Sequence, residues 1–279
     1  MIKIKKGIGM EYKLIAMDFD GTLLTDDKNV SPKTEEILRK LKKEGYKIVG
    51  ATARPLDSSK DVVPIDIFTH LIINNGVTIY NVDKQEEEWM GYITPQEASE
   101  IIKEVETVST QIDLISGTKY YVYKHKKNSP LSFIIDIDKV EDVKEKIARM
   151  NIFLQEGEDA NTHYQWITQK FPNINCFVMQ DSGSEKQWLI INPKNINKAH
   201  TLEKLGEELG IDCQEMIFFG DGLNDLEVME SVGLSVAMGN ALEEVKEKAS
   251  IITDSNNEDG IAKFLTKNLK GLVDYEKKK

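Results

Sequence analysis

Cysteine is almost absent from this chain: Cys176 and Cys213 are the only two in 279 residues. Two thiols cannot build a disulfide framework, and these lack the paired spacing of a zinc site, so a reducing compartment with both thiols in the core is expected. Long apolar runs are missing too. No stretch approaches the roughly 20 apolar residues that span a bilayer. The start, MIKIKKGIGM, is basic but has neither the apolar stretch nor the cleavage signal of a secretory leader, so a cytoplasmic location is expected, with residues 1–9 a loose arm or an over-long start. There is no excess of positive charge: the formal net charge is −11, which argues against non-specific affinity for nucleic acid or an anionic membrane surface. The four histidines, His70, His125, His163 and His200, are scattered without metal-ligand spacing. No internal repeat or low-complexity tract appears, and Glu276-Lys277-Lys278-Lys279 reads as a solvated tail.

What is present is an ordinary globular composition, 40% hydrophobic and 30% charged, on a chain long enough for one large domain or two modest ones. The most informative stretch is Asp18-Phe19-Asp20-Gly21-Thr22, directly after the apolar run Leu14-Ile15-Ala16-Met17. It puts two carboxylates where a buried strand breaks into a loop, the place where open parallel sheets bind ligands. Alternate residues leaving a strand point the same way, so Asp18 and Asp20 can face one substrate while Phe19 turns into protein. One carboxylate can attack and the other can carry protons. Two close anions also repel, so the pair suggests a divalent cation with oxygen ligands, Mg²⁺ first. Asp-x-Asp alone also occurs in solvated loops, and the rest of the chain has to decide.

Ser31-Pro32 followed by Ile37, Leu38 and Leu41 predicts a helix closed by Gly45. A strand over 46–51 then delivers Thr52-Ala53-Arg54-Pro55 to its loop end, and a strand over 70–73 closes at the turn Asn74-Asn75-Gly76. From about Asp83 to Gln187 the texture changes. Helices are expected at 95–107 and 139–150, a strand at 119–123, and a hairpin joining 176–179 to 188–191 through Asp181-Ser182-Gly183-Ser184. Glu86-Glu87-Glu88 reads as a solvated turn, and Trp89, Trp166 and Trp188 as packing residues. Strand and helix alternation then resumes: a helix capped by Asn197, a strand at 216–219 ending in Gly220-Asp221-Gly222-Leu223-Asn224-Asp225, a strand at 234–237, a helix at 241–249, and a last helix from about Asp259. The expected fold is α/β, a Rossmann-like parallel-sheet core formed by 1–83 and 189–279, with an α+β cap inserted at 84–188. Hinges are expected at 80–84 and 187–192.

Polar groups thus gather at four loops: Asp18 and Asp20, Thr52 and Arg54, Lys198, then Asp221 and Asp225. Parallel strands present such loops on one edge. Thr52 offers a hydroxyl and Lys198 a point charge at a helix start, both suited to phosphate oxygens, and the later acids add hard oxygen ligands. Asp225 also has a structural alternative as an acid at a helix start, and Asn240 can either approach the site from the next loop or serve as a turn former.

With DFDGTLL at 18–24, ATAR at 51–54 and GDGLNDLEVME at 220–230, the chain resembles the haloacid dehalogenase-like phosphatase superfamily, in its Cof-like branch with a large inserted cap. SVAMGNA at 235–241 and TDSNNEDGIAKFL at 253–265 resemble the same branch. The resemblance implies that Asp18 forms an aspartyl-phosphate and that Asp20 protonates the leaving alcohol and then activates water. It implies that Thr52 and Lys198 hold the phosphoryl group and that Asn224 contacts phosphate or orients the metal shell. It also implies Mg²⁺ bound by Asp18, the backbone carbonyl of Asp20, Asp221, and Asp225 directly or through water. Two departures stand out. The third motif usually has a small glycine after its lysine, whereas Ala199 and His200 follow Lys198, leaving Lys194 as a rival; and 54–74, with Pro55 and Pro64, is poor in helix signals. Arg54 either touches substrate or braces its loop through an ion pair. The expected activity is hydrolysis of phosphate monoesters of small metabolites, sugar phosphates first. The alternatives are a phosphomutase using the same intermediate and a phosphoacceptor signalling domain. Asn161, His163, Gln165 and Lys119 are candidates for meeting the leaving group. Oligomeric state is not legible.

Overall fold

A computed structural model describes residues 12–124, 134–180 and 186–268. Strand β1 (Leu14–Met17) is the apolar run LIAM, buried along its whole length as a strand covered on both faces must be. Helix α1 (Pro32–Lys43) starts at the Ser31 cap, whose hydroxyl accepts from the Thr34 amide, and buries Ile37, Leu38 and Leu41. Strand β2 (Lys47–Ala51) follows, then α2 (Leu56–Lys60), a single short helix where the sequence signals were weak. Strand β3 (His70–Ile73) turns through Asn74-Asn75-Gly76, with Asn74 and Asn75 both left-handed (φ 53° and 61°), into β4 (Thr78–Asn81). Strand β5 (Glu86–Trp89) pairs antiparallel with β4. Glu86, Glu87 and Glu88 are therefore an exposed edge strand, not the solvated turn expected. Charged side chains blunt such an edge against further pairing.

The second unit contains α3 (Pro95–Val105), β6 (Ser109–Ser116), β7 (Tyr120–Tyr123), β8 (Ile134–Ile137), β9 (Ile147–Leu154), α4 (Ala160–Lys170), β10 (Ile174–Gln180) and β11 (Gln187–Pro193). Among the described residues its six strands run in the order β10-β11-β9-β6-β7-β8. Ile101, Ile102, Ile112, Met150, Ile152 and Leu189 are among the residues of its own core. The helix expected at 139–150 is absent: a 3-10 turn at Val140–Asp142 precedes β9, which is paired on both sides by β6 and β11. Val140, Val143, Ile147 and Met150 do recur at helical spacing, but the alternation of Met150, Ile152 and Leu154 fits the ladder, and tertiary pairing decides.

The chain then returns through α5 (Lys198–Leu209), β12 (Met216–Gly220), α6 (Leu226–Ser231), β13 (Leu234–Ala237), α7 (Glu243–Lys248), β14 (Ile251–Ile252) and α8 (Gly260–Asn268). The first sheet has the order β14-β13-β12-β1-β2-β3-β4-β5 and is parallel from β14 to β3. Separate apolar clusters cover its faces, one with α1 and α8, the other with α5 and α7. Sheet membership shifts the expected boundaries. β5 belongs to the first sheet and β11, to Pro193, belongs to the second, so the crossings fall after Trp89 and after Pro193 rather than at 83/84 and 188/189. The hinge segments expected at 80–84 and 187–192 correspondingly lie in or beside paired strands. The arm at 1–9, His125, the turn at 181–184 and the tail at 276–279 lie outside the described residues.

Candidate active site

β1 and β12 lie side by side, and the Asp18 amide extends their pairing by donating to the Phe219 carbonyl at 3.0 Å. The acid loops that follow the two strands therefore meet, although two hundred positions separate them. Phe19 turns inward as expected, fully buried and 5.6 Å from the Phe68 ring. Gly21 takes φ +82°, and a Cβ there would lie 2.3 Å from Oδ2 of Asp221, so this position needs glycine for both conformation and space. Thr22, one residue later, donates its hydroxyl to Oδ1 of Asp221 at 2.7 Å.

Lys198 enters from the first turn of α5, whose Asn197 cap accepts from the His200 amide as the sequence suggested. Its side chain is 1% exposed, with Nζ 2.5 Å from Oδ1 of Asp18 and 2.9 Å from Oδ1 of Asp225. The other oxygen of Asp225 accepts from the amides of Asp221 and Gly222, both at 3.2 Å. Lys194, the rival, is exposed and donates to the Pro172 carbonyl. One lysine thus sits among three acids whose ligand atoms, from Asp18, Asp221 and Asp225, lie within 4.8 Å of one another. Burial works against the Lys198 charge, but Asp18 and Asp225 outweigh it and hold its pKa above the ordinary value. Burial pushes the Asp18 carboxyl up to about 7 against the pull of Lys198, with Asp225 and Asp221 adding to the rise. Burial also raises Asp221, opposed by the Thr22 hydroxyl. Excess negative charge crowded around hard oxygen donors is the environment a small divalent cation relieves, and the donor set fits one.

Asp20 faces the more open side. Arg54 grips it with a two-pronged fork, Nε to Oδ2 at 2.7 Å and Nη2 to Oδ1 at 2.8 Å, and Lys28 adds Nζ to Oδ1 at 2.8 Å. The Arg54 hydrogen bonds lead in holding the Asp20 carboxyl down to about 2, against burial and with help from Lys28. Of the two expectations for Arg54, the structure displays the ion pair. Thr52 is buried and its hydroxyl accepts from the Arg54 amide at 3.2 Å, while the Asn75 amide ties the Thr52 carbonyl. Asn224 is exposed on the 3-10 turn Leu223–Asp225, its Oδ1 close over Gly222.

The proposed leaving-group residues have partners within the second unit: Lys119 pairs with Glu145, Asn161 with Asp159, and His163 with Glu158 and Glu104, while Gln165 is an exposed residue of α4. That unit touches the first beside the Thr52 loop. Asn74 Nδ2 donates to the carbonyls of Ser116 and Gly117, and the Leu56 amide to Gly117, all at 3.3 Å. Thr22 and Lys28 had no assigned role from the sequence. Thr22 was within reach of it, since it follows the acid pair at the next even spacing; Lys28 arrives only through a loop with φ 59°.

A doubly covered parallel sheet with an acid pair beyond its central strand, a lysine at a following helix start and further acids beyond the neighbouring strand defines a haloacid dehalogenase-type hydrolase. The chain matches the family of haloacid dehalogenase-like hydrolases over residues 15–265 and belongs to it. It is 30% identical over 267 residues to a putative phosphatase of Haemophilus influenzae, covering 92% of this chain and 98% of that protein. It is 29% identical over 273 residues to a Bacillus subtilis 5-amino-6-(5-phospho-D-ribitylamino)uracil phosphatase, again covering 92% and 98%. A haloacid dehalogenase-like hydrolase from Bacteroides thetaiotaomicron superposes with a TM-score of 0.77 at 26% identity, over 93% of this chain and 100% of that one. The protein is an enzyme of the phosphatase class within this family. Among the described residues no helix is long and apolar enough to cross a membrane.

Proposed function

We propose that the protein hydrolyses phosphate monoesters of small metabolites through an aspartyl-phosphate on Asp18, with Mg²⁺ as cofactor and sugar or sugar-alcohol phosphates as the first substrate class. The observation that carries this reading is the convergence of Asp18, Lys198, Asp221 and Asp225 at one sheet edge. In the first half-reaction a carboxylate oxygen of Asp18 bonds to phosphorus, the ester P–O bond breaks, and Asp20 gives its proton to the departing alkoxide. In the second, Asp20 takes a proton from water, whose oxygen bonds to phosphorus as the P–O bond to Asp18 breaks, releasing inorganic phosphate and the free Asp18 carboxylate. Lys198 and the Thr52 hydroxyl offset charge on the phosphoryl oxygens, and Asn224 closes over them.

Asp18, the Asp20 carbonyl and Asp221 would hold Mg²⁺, which when bound supplies charge neutralisation that lets an anionic nucleophile approach a phosphate dianion. Asp225 already has Lys198 on one oxygen and two amides on the other, which favours its acting through water. Arg54 and Lys28 keep Asp20 as a carboxylate, the form needed to accept a proton from water. Donation in the first half-reaction requires an incoming phosphate to draw the Arg54 fork away, after which Asp20 takes up from solvent the proton it then gives to the leaving group. The name of the Bacillus subtilis relative, which carries a phosphorylated ribityl chain, supports a polyhydroxylated leaving group.

The test is phosphate release from a panel of phosphorylated metabolites with and without Mg²⁺. Release that needs Mg²⁺ and is lost in Asp18→Asn is expected; undiminished turnover in Asp18→Asn would overturn the reading.

A further inference from the structure

Two tracts that contain none of the reacting groups, 235–241 and 253–265, close around the loop that does. Asn240 lies between β13 and α7. Its Nδ2 donates to the Gly21 carbonyl at 2.8 Å and its Oδ1 accepts from the Asn256 amide at 3.0 Å. Asn256 is buried, and its own Nδ2 donates to the Leu24 carbonyl at 2.9 Å and to Oδ1 of Asp26 at 3.2 Å. The orientation of the Asn240 amide is fixed by these partners, because the flipped form would set oxygen against a carbonyl and NH₂ against an N–H.

Inside the loop, the amides of Leu23 and Leu24 return to the carbonyls of Asp18 and Phe19. The carbonyls of Gly21 and Leu24 are held instead by the two asparagines. Gly21 is where an outside hold matters most, since a glycine at φ +82° lacks the side-chain sterics that restrict other residues. Rotation there would carry Asp20 and its carbonyl away from Asp18. The same turn reaches the opposite wall, because the Leu242 amide donates to the Asp221 carbonyl at 3.2 Å.

We infer that Asn240 and Asn256 are positioning residues, a relay that fixes the Asp18–Leu24 loop relative to Asp221 through the Gly21 and Leu24 carbonyls. This rests on Asp18 and Asp20 being the reacting carboxylates. A relay of this kind governs how well the carboxylates are aligned at the moment of reaction more than how tightly substrate binds, and small misalignments are costly. A merely structural staple would change stability and leave turnover of the folded enzyme alone.

The experiment uses the full chain with Mg²⁺ and 4-nitrophenyl phosphate, comparing Asn240→Ala, Asn240→Asp and Asn256→Ala with Ser250→Ala. The last removes a 3.1 Å hydroxyl contact from exposed Ser250 to buried Ser235, farther from the site along β13, and reports the effect of losing one polar contact alone. Asn240→Asp keeps the acceptor for the Asn256 amide while losing the donor to Gly21, so it tests the relay in a nearly isosteric side chain. The expected result is a kcat lowered by about 10- to 100-fold in the three asparagine variants, with KM within about twofold, and a parental kcat in Ser250→Ala. Asparagine variants with kcat within about twofold of the parent, while Asp18→Asn is inactive, would overturn the inference, as would changes confined to KM or matched by Ser250→Ala. Turnover surviving in Asp18→Asn would remove the catalytic reading beneath it.

Discussion

The ammonium of Lys198 lies 2.5 Å from Oδ1 of Asp18, and the two side chains are only 1% and 10% exposed. Removing one member of a buried pair leaves the other charge uncompensated, at a cost of about 3–5 kcal/mol. Lys198→Met is expected to abolish turnover and to lose stability mainly above neutral pH. The sign follows from Asp18: its carboxyl is raised from 3.8 to about 7, so the folded state binds a proton that the unfolded state has released, and stability falls as pH rises through that window. Without the lysine the fall extends to higher pH. Urea unfolding at pH 5 and pH 8 checks this; equal losses at both would contradict it.

Asp20 behaves oppositely. With its carboxyl held from 3.8 down to about 2, the Arg54 pair contributes stability above about pH 4 that is lost as pH falls through about 2. Asp20 is 41% exposed, so the contribution is that of a screened pair, about 1 kcal/mol or less. Arg54→Ala should therefore differ from the parent in stability at pH 6 and converge with it near pH 2. Acid unfolding followed by circular dichroism reads the difference, and a gap that widens toward low pH would be incompatible with the pair.

Gly21→Ala should be far more damaging than a surface alanine. The added Cβ meets Asp221 Oδ2 at 2.3 Å and the backbone is left-handed, a strain of about 1–3 kcal/mol. Loss of most phosphate release together with a lowered thermal midpoint is expected; a variant with parental activity would show that the Asp18 and Asp221 loops need not approach so closely.

Mg²⁺ should raise the thermal midpoint of the parent, since binding at 100 times Kd adds about 2.7 kcal/mol to the folded state. In Asp221→Ala the rise should largely vanish, because one of the three converging carboxylates is gone. Scanning fluorimetry with added Mg²⁺ measures both, and an undiminished rise in the variant would place the cation elsewhere.

Much of this site was legible because its residues lie at the ends of continuous apolar strands, where burial leaves little choice. Met216–Gly220 can only be an inner strand, so Asp221 can only stand at its mouth. Asn197 and the apolar stripe behind it likewise picked out Lys198 over Lys194. Where burial is partial, pattern failed. Three glutamates gave no hint of strand because β5 is an edge held by backbone pairing with β4. The residues leading into and opening β9 carry a helical recurrence that β6 and β11 override. Lys28 reaches the loop from a turn, whose side-chain directions no periodicity encodes, whereas Asn240, read either as approaching the site or as a turn former, is found on the Gly21 carbonyl.

The margins of the eight-stranded sheet have a consequence for the molecule in a crowded solution. One margin is the two-residue β14, too brief to template another chain, and the other is β5, which carries the exposed Glu86, Glu87 and Glu88. Sheet-to-sheet stacking is thus opposed by shortness on one flank and by electrostatic repulsion on the other, and the second of these barriers weakens as salt or acid masks the glutamates.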